Sequence, residues 1–379
     1  MKKEIKYIGF YNSSKCKHQR VGALSAINKM DYVCDAIKQA GYNVHLVSPS
    51  WIMQNSIELQ RTISLSPTKQ LTNCPSIGSG YKIREYLSIL ISLTWLFFWL
   101  LFNVKRDEKI LVYHSPWFAL PVLWAKRIKG FKLILEVEEI YSKVWSLNKT
   151  LTKWENKIIL NTDGYIVVSD VLAEMLPAKQ KIILYGSYNL YENLKHIREN
   201  NNVINVVYAG SLDKTIGGAF TIINTLNYLP INYMVHILGY GKIEEINEIK
   251  RLVKYKNEEL GRISCLYHGM KTGVEFSDFL IKCDVAVNSQ NQGNYMATAF
   301  PSKILTYLSH GLPVVTTKIE SIIHSSIGKY LMFTDDDSPE SIANGILSID
   351  VNIERNYSNI VSKLNSQFVE EIKRELNYD

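Results

Sequence analysis

The sequence predicts an α/β protein of two Rossmann-like domains facing each other across a cleft, followed by a C-terminal helical segment. Three observations predict it. Short apolar, β-branched runs alternate with amphipathic stretches, as in KYIGFY, then SAINKMDYVCDAIKQAG, then YNVHLVS, which is the pattern of parallel strands joined by crossover helices. The alternation comes as two series separated by the polar stretch SYNLYENLKHIRENNN. The 379 residues, 46% hydrophobic and 21% charged, are enough for two cores.

The first series continues through ILVYH, FKLILEV and GYIVVS to KIILYG, and predicts an N-terminal domain over residues 1–187. The polar stretch after it is the predicted linker, with the boundary near residues 187–202. The second series contains INVVYAG, NYMVHILG, RISCLYHG, DVAVNS and LPVVTT, each followed by a turn and a helical pattern, and predicts a C-terminal domain over 203–350. Residues 351–379 read as mostly helical and are expected to pack back toward the N-terminal domain. In such sheets ligands are expected at the carboxyl ends of the strands.

The net charge of +7 is unevenly spread, +11 over residues 1–200 and −4 over residues 201–379. A basic half suits an anionic membrane surface or a phosphorylated substrate, and no dense basic run favours nucleic acid. Five widely spaced cysteines without a CxxC pair fit a reducing cytoplasm and no zinc site. The start MKKEIKYIGF is interrupted by charge and predicts no secretion signal. Residues 86–104, YLSILISLTWLFFWLLFNV, carry no charge and lie between basic flanks, long enough for a membrane span. A single crossing would put strands of one parallel sheet on opposite sides of a bilayer. Two readings remain, a helix lying on the membrane and a helix buried against the sheet.

The stretch TAFPSKILTYLSHGLPVVTT holds the first candidate chemistry. Pro301 suits the first helical position and Gly311 a left-handed helix end, so a helix is expected from about Pro301 to His310. The free N–H groups of Ser302 and Lys303, with the helix dipole and the Lys303 ammonium, would suit a diphosphate. A helix that simply has good ends is the alternative. A second stretch, YAGSLDKTIGGAF, sets Gly210, Lys214 and a Gly217-Gly218 pair after a strand, but is neither a GxGxxG fingerprint nor a P-loop. A third, HILGYGK, gives Gly239 and Gly241, for which a tight turn is the plainer reading.

Together these motifs resemble glycosyltransferases of the GT-B fold, and are similar to family 4 in its bacterial capsule, exopolysaccharide and O-antigen branch. YAGSLDK resembles that family's glycine loop and lysine before the donor diphosphate, and GLPVV its G-x-PVV turn. Phe300 and GLPVV align the family's E-x7-E pair with Thr298 and Thr306, so both acids are replaced here by threonine. The resemblance implies that Gly210, Lys214, Gly239, Thr298, Phe300, Pro301, Ser302, Lys303 and Thr306 bind the donor. It also implies that His114, at the end of ILVYH, stands near the sugars as a catalytic candidate, a structural histidine being the alternative. Glu136, Glu138 and Glu139 follow FKLILEV, with the first two on one strand face. One of them, Glu138 as the candidate, could be a general base, or the three could form an ion-pair cluster. The run Lys15, Lys17, His18 and Arg20 could close over an acceptor phosphate, with a mobile, solvated loop as the plainer reading.

The implied activity is transfer of a sugar from a nucleoside diphosphate sugar, expected to be a UDP-sugar, to a lipid-linked glycan in bacterial surface polysaccharide assembly. The implied protein is cytoplasmic and peripheral at the inner face of the cell membrane, with no cofactor beyond its donor and no metal, Asp335–Asp337 reading as a solvated turn. A GT-B epimerase and a catalytically silent binding subunit are the alternatives, the threonine pair supporting the second.

Overall fold

The computed structural model describes residues 3–78, 82–144, 146–191, 197, 202–215, 217–290, 298–353 and 357–377. The chain divides into two compact units, Met1–Ser187 with Ser366–Asp379, and Tyr188–Asn365. Most of the predicted linker, residues 192–196 and 198–201, lies outside the described residues.

The first unit opens with β1 (Glu4–Ile8), α1 (Leu24–Gln39) and β2 (Asn43–Ser48), followed by the short strands β3 (Ile57–Glu58), β4 (Arg61–Ser66), β5 (Lys69–Asn73) and β6 (Ser76–Ile77). Then come α2 (Lys82–Asn103), β7 (Lys109–Tyr113), α3 (Ala119–Lys129), β8 (Lys132–Val137), α4 (Tyr141–Val144), α5 (Lys149–Asn161), β9 (Gly164–Val167), α6 (Asp170–Met175) and β10 (Gln180–Ile183). Eight strands form one sheet in the order β10-β9-β8-β7-β1-β2-β5-β4, parallel except where β4 runs against β5. The sequence pattern does not predict the β4–β5 hairpin. Both faces of β4 stay at least partly in solvent, so it lacks the one-sided apolar alternation that marks a strand. Strands β3 and β6 form a separate antiparallel pair.

Strand β1 pairs with β2 on one side and with β7 on the other, so both ends of α2 return to the same sheet and α2 does not cross a bilayer between them. One face of α2 is buried, with Leu96, Trp99 and Leu100 in the core and Trp99 edge-on to His45. The buried face also carries Ser88 and Ser92, whose hydroxyls donate to the carbonyls of Ile77 and Pro49. The run around Arg20 is not a solvated loop throughout. Arg20 is buried, donating to the carbonyls of Ser50 and Cys74 and to Glu58 Oε2 at 2.9 Å. A guanidinium can replace its water with these acceptors, which offsets the cost of burying it.

The second unit runs β11 (Ile204–Ser211), α7 (Gly218–Asn224), β12 (Tyr233–Tyr240), α8 (Ile243–Glu259), β13 (Cys265–Tyr267), α9 (Gly273–Leu280) and β14 (Val285–Asn288). It continues through α10 (Lys303–Ser309), β15 (Val314–Thr316), α11 (Glu320–Ile323), β16 (Met332–Phe333) and α12 (Pro339–Leu347). Its six strands are all parallel in the order β13-β12-β11-β14-β15-β16, with a core of residues such as Val206, Ile222, Val235, Val285 and Ile346. That is the doubly wound 3-2-1-4-5-6 arrangement, whose direction reverses between β11 and β14. In the first sheet the same reversal falls between β1 and β7. The last helix, α13 (Ser358–Asn377), starts in the second unit and ends in the first, where Phe368 stacks on Tyr32 at 5.8 Å.

Candidate functional site

At the reversal point of the second sheet, the loop after β11 is shaped by Asp213, whose Oδ1 accepts from the backbone and hydroxyl of Thr215 at 2.7 and 2.6 Å. Those bonds hold the Asp213 carboxyl below its ordinary pKa. Lys214 on this loop pairs with Glu248 at 2.7 Å, both of them exposed. The glycines here answer to the protein's own packing. A Cβ on Gly239 would lie 2.1 Å from the Gly210 carbonyl oxygen, and one on Gly218 would lie 2.3 Å from that of Ser289. Gly239 is a residue of β12 paired with Gly210, so the tight-turn reading of that position does not hold. Gly217, at φ +78°, supplies the left-handed residue that starts α7.

Helix α10 begins at Lys303, two residues later than expected. The carbonyls of Pro301 and Ser302 accept from Ile304 and Leu305 in three-residue steps, so a tight turn precedes the helix. The amides of Ser302 and Lys303 therefore come before the first of these bonds, as the proline-led reading requires. The C-terminus follows expectation. Gly311 has φ +77°, Leu312 N–H donates to the Tyr307 carbonyl and Gly311 N–H to that of Leu308, the two bonds of a Schellman ending. Tyr307, buried, accepts at its hydroxyl from the Ala209 amide at 2.8 Å, which fixes α10 beside the carboxyl end of β11 and Gly210. Phe300 and Pro301 are buried, Thr298 and Thr306 are half-buried, and Ser302 is exposed.

The two candidate lysines differ. Lys303 has no acidic partner among the described residues. It reaches solvent, yet its Nζ lies 4.3 Å from the centre of the Phe276 ring, and this crowding lowers its pKa by desolvation. Lys214 is already neutralised by Glu248. The Asp335–Asp337 triplet serves α12, since Asp336 accepts from the Ser338 amide and hydroxyl, and Ser338 caps that helix.

In the first unit the candidate acid and histidine lie past β7 and β8. His114 is buried. Its Nδ1 faces the Glu139 carbonyl at 3.1 Å and so carries a proton, while Nε2 lies 3.5 Å from Glu155 Oε1. Glu155, also buried, accepts from the amides of Tyr141 and Ser142 at 2.7 and 2.8 Å. Burial lowers the His114 pKa, with the Glu155 charge opposing. His114 is thus a member of a buried cluster, the arrangement that a structural histidine would have. Glu138 forms an ion pair with Lys29 at 3.1 Å and keeps partial access to solvent. Glu136 is wholly buried against the Tyr7 hydroxyl, and burial together with the Glu138 charge pushes its pKa up to about 7. Of the two, Glu138 is the one that a solute can reach.

Lys29, Glu155 and Tyr7 complete this cluster and were not singled out by motif. Glu155 could have been found from periodicity, because it shares a helix face with Ile158 and Ile159, three and four residues on, both buried.

No protein-family model matches the chain, and no curated protein matches it in sequence. Solved structures do. The chain is similar to sucrose-phosphate synthase from Thermosynechococcus elongatus, with TM-score 0.68 and 13% identity over 99% of this chain and 97% of that one. It is similar to the lipopolysaccharide outer core galactosyltransferase WaaB, with TM-score 0.63 and 11% identity over 98% and 100%. It is also similar to Anabaena HepE in complex with UDP, with TM-score 0.58 and 12% identity over 99% and 98%. At such identities the likeness speaks for architecture, and the architecture that these proteins share with this chain along nearly its whole length is the GT-B fold.

Proposed function

We propose that this chain is a glycosyltransferase that moves a sugar from a UDP-sugar to a lipid-linked glycan during assembly of a bacterial surface polysaccharide. The observation that carries the reading is Lys303, a cation without an acidic partner among the described residues, in the turn that leads into α10 beside the end of β11. The reading is supported by similarity to solved glycosyltransferases, one of them bound to UDP. In this scheme the acceptor hydroxyl bonds to the anomeric carbon as the bond to the diphosphate breaks. Lys303 takes up the charge that develops on the leaving diphosphate, joined by Lys214 once it leaves Glu248, and preorganised cations are most useful at that point. Glu138, oriented by its ion pair with Lys29, receives the proton of the acceptor hydroxyl. His114 and Glu155 act behind the site, by fixing the backbone of Glu139 and Tyr141. We place the reaction at the cytoplasmic face of the membrane and the chain in family 4, on the motifs of its sequence.

The test is a panel of nucleotide sugars read by ligand-induced thermal shift, followed by UDP release with an extracted lipid-linked acceptor. A UDP-sugar that stabilises the protein and yields UDP only with acceptor supports transfer. Binding without turnover would favour a silent binding subunit, which the threonines at 298 and 306 make the second reading. Stabilisation by no nucleotide sugar overturns both.

A further inference from the structure

Helix α2 carries large apolar residues on its exposed side as well as on its buried one. Its buried side carries Ser88 and Ser92 bonded to backbone carbonyls, while its exposed side carries Ile83, Leu87, Leu90, Phe98 and Phe102, in three- and four-residue steps broken once, between Leu90 and Phe98, where the exposed Thr94 stands. Phe102 is 81% exposed and stacks along the stripe on Phe98. Helix α3 packs against α2 and repeats the pattern, with Leu120, Trp124 and Ile128 exposed at four-residue spacing. A soluble surface would carry polar groups at these positions. Helix α5 packs on α3 and presents Lys149, Lys153 and Lys157 at four-residue spacing, and these lysines line an open cavity of about 480 Å³ together with Thr152, Asn156 and Leu160. Helices α3 and α5 carry six cations, and Glu155, their one acid, is buried. None of the three α5 lysines has an acidic partner among the described residues.

From this we infer that α2, α3 and α5 form one docking face for an anionic phospholipid bilayer, on which the α2 and α3 stripes enter the headgroup–acyl boundary and the α5 lysines hold lipid phosphates. Charge decides the occupant. In a two-fold dimer this face would meet its own copy, setting α3 and α5 cations against the same cations, whereas an anionic surface complements them. The inward aromatic residues, Trp99 and the half-buried Trp95 bonded to Gln60, are not part of the face. The inference uses none of the residues proposed for the nucleotide site, so it holds whether or not the chain transfers a sugar.

The experiment is co-sedimentation of the full chain with vesicles of phosphatidylcholine alone and of phosphatidylcholine with phosphatidylglycerol, in low and high salt. Wild type is expected to pellet with the anionic vesicles and to be released by salt. Changing Lys149, Lys153 and Lys157 together to glutamine should weaken this partition roughly fivefold per lysine, on the order of 100-fold for all three. Changing Phe98, Phe102 and Trp124 to serine should abolish it, with circular dichroism and UDP-induced thermal shift unchanged. The inference is overturned if wild type ignores anionic vesicles, or if folded lysine variants bind as tightly as wild type. It is also overturned if light scattering shows a dimer that the Phe98→Ser change dissolves.

Discussion

Replacing Lys303 with methionine keeps the length of the side chain and removes its charge, and the structure predicts that two observables then move independently. In the free protein the ammonium sits above the Phe276 ring with no acidic partner among the described residues, and desolvation there disfavours the charged form and lowers its pKa. With a diphosphate present, the same group makes a charge-assisted hydrogen bond contributing roughly 1.5 to 3 kcal/mol. At about 1.36 kcal/mol per tenfold, Lys303→Met should weaken UDP binding by about 10- to 150-fold. The melting temperature of the free protein should not fall. The pH dependence has a definite sign. A lysine whose folded pKa lies below its unfolded value leaves the native state with fewer bound protons between the two, so stability rises with pH through that window, and the variant should lose this slope. Wild-type affinity for UDP should decline as pH rises through the lowered pKa, and that of Lys303→Met should not. Calorimetry with UDP and thermal melts across the alkaline range measure both. An unchanged UDP affinity in a variant that melts normally would refute the assignment of Lys303 to the diphosphate.

Three other outcomes are expected. Arg20→Met leaves the Ser50 and Cys74 carbonyls and the Glu58 carboxylate without their buried donor, and should lower stability by about 3 to 5 kcal/mol in a urea titration. Glu136, with a folded pKa of about 7, makes the native state bind an extra proton between the unfolded carboxyl pKa and 7, so it contributes stability that is lost as pH rises through 7. Glu136→Gln should flatten that decline in melts taken on either side of neutrality. Thr306→Glu restores the acid of the resembled motif and should tighten nucleoside diphosphate binding by up to about 1 to 2 kcal/mol, a prediction that fails if a folded variant binds every nucleotide more weakly.

Much of the fold was legible because parallel strands buried on both faces write themselves as dense β-branched runs. INVVYAG, NYMVHILG and LPVVTT each contain a strand of the second sheet. The strand with exposed faces, β4, wrote nothing comparable. The end of α10 was legible because only glycine adopts φ +77° without strain, whereas its start depended on a tight turn that a proline permits but does not require. The site was less legible than the fold. Lys303 stood out by motif, yet nothing local said that Lys214 would be tied to Glu248, a residue 34 positions away. Arg20 looked like a loop cation because its acceptors are carbonyls brought in from Ser50 and Cys74, and a backbone carbonyl has no letter in the sequence.

The division of α13 has a consequence for how the protein is made. The first unit contains residues up to Ser187 and then Ser366–Asp379, so a ribosome has to synthesise all of the second unit before the first can be completed. Until then Tyr32 lacks Phe368, Tyr42 lacks Asn377, and the Lys109 ammonium lacks the Glu375 carbonyl. The second unit carries its whole sheet in one uninterrupted stretch and can close first. A chain that stopped at Asn365 would hold the whole of the second unit, while the first would still wait for Phe368, Glu375 and Asn377.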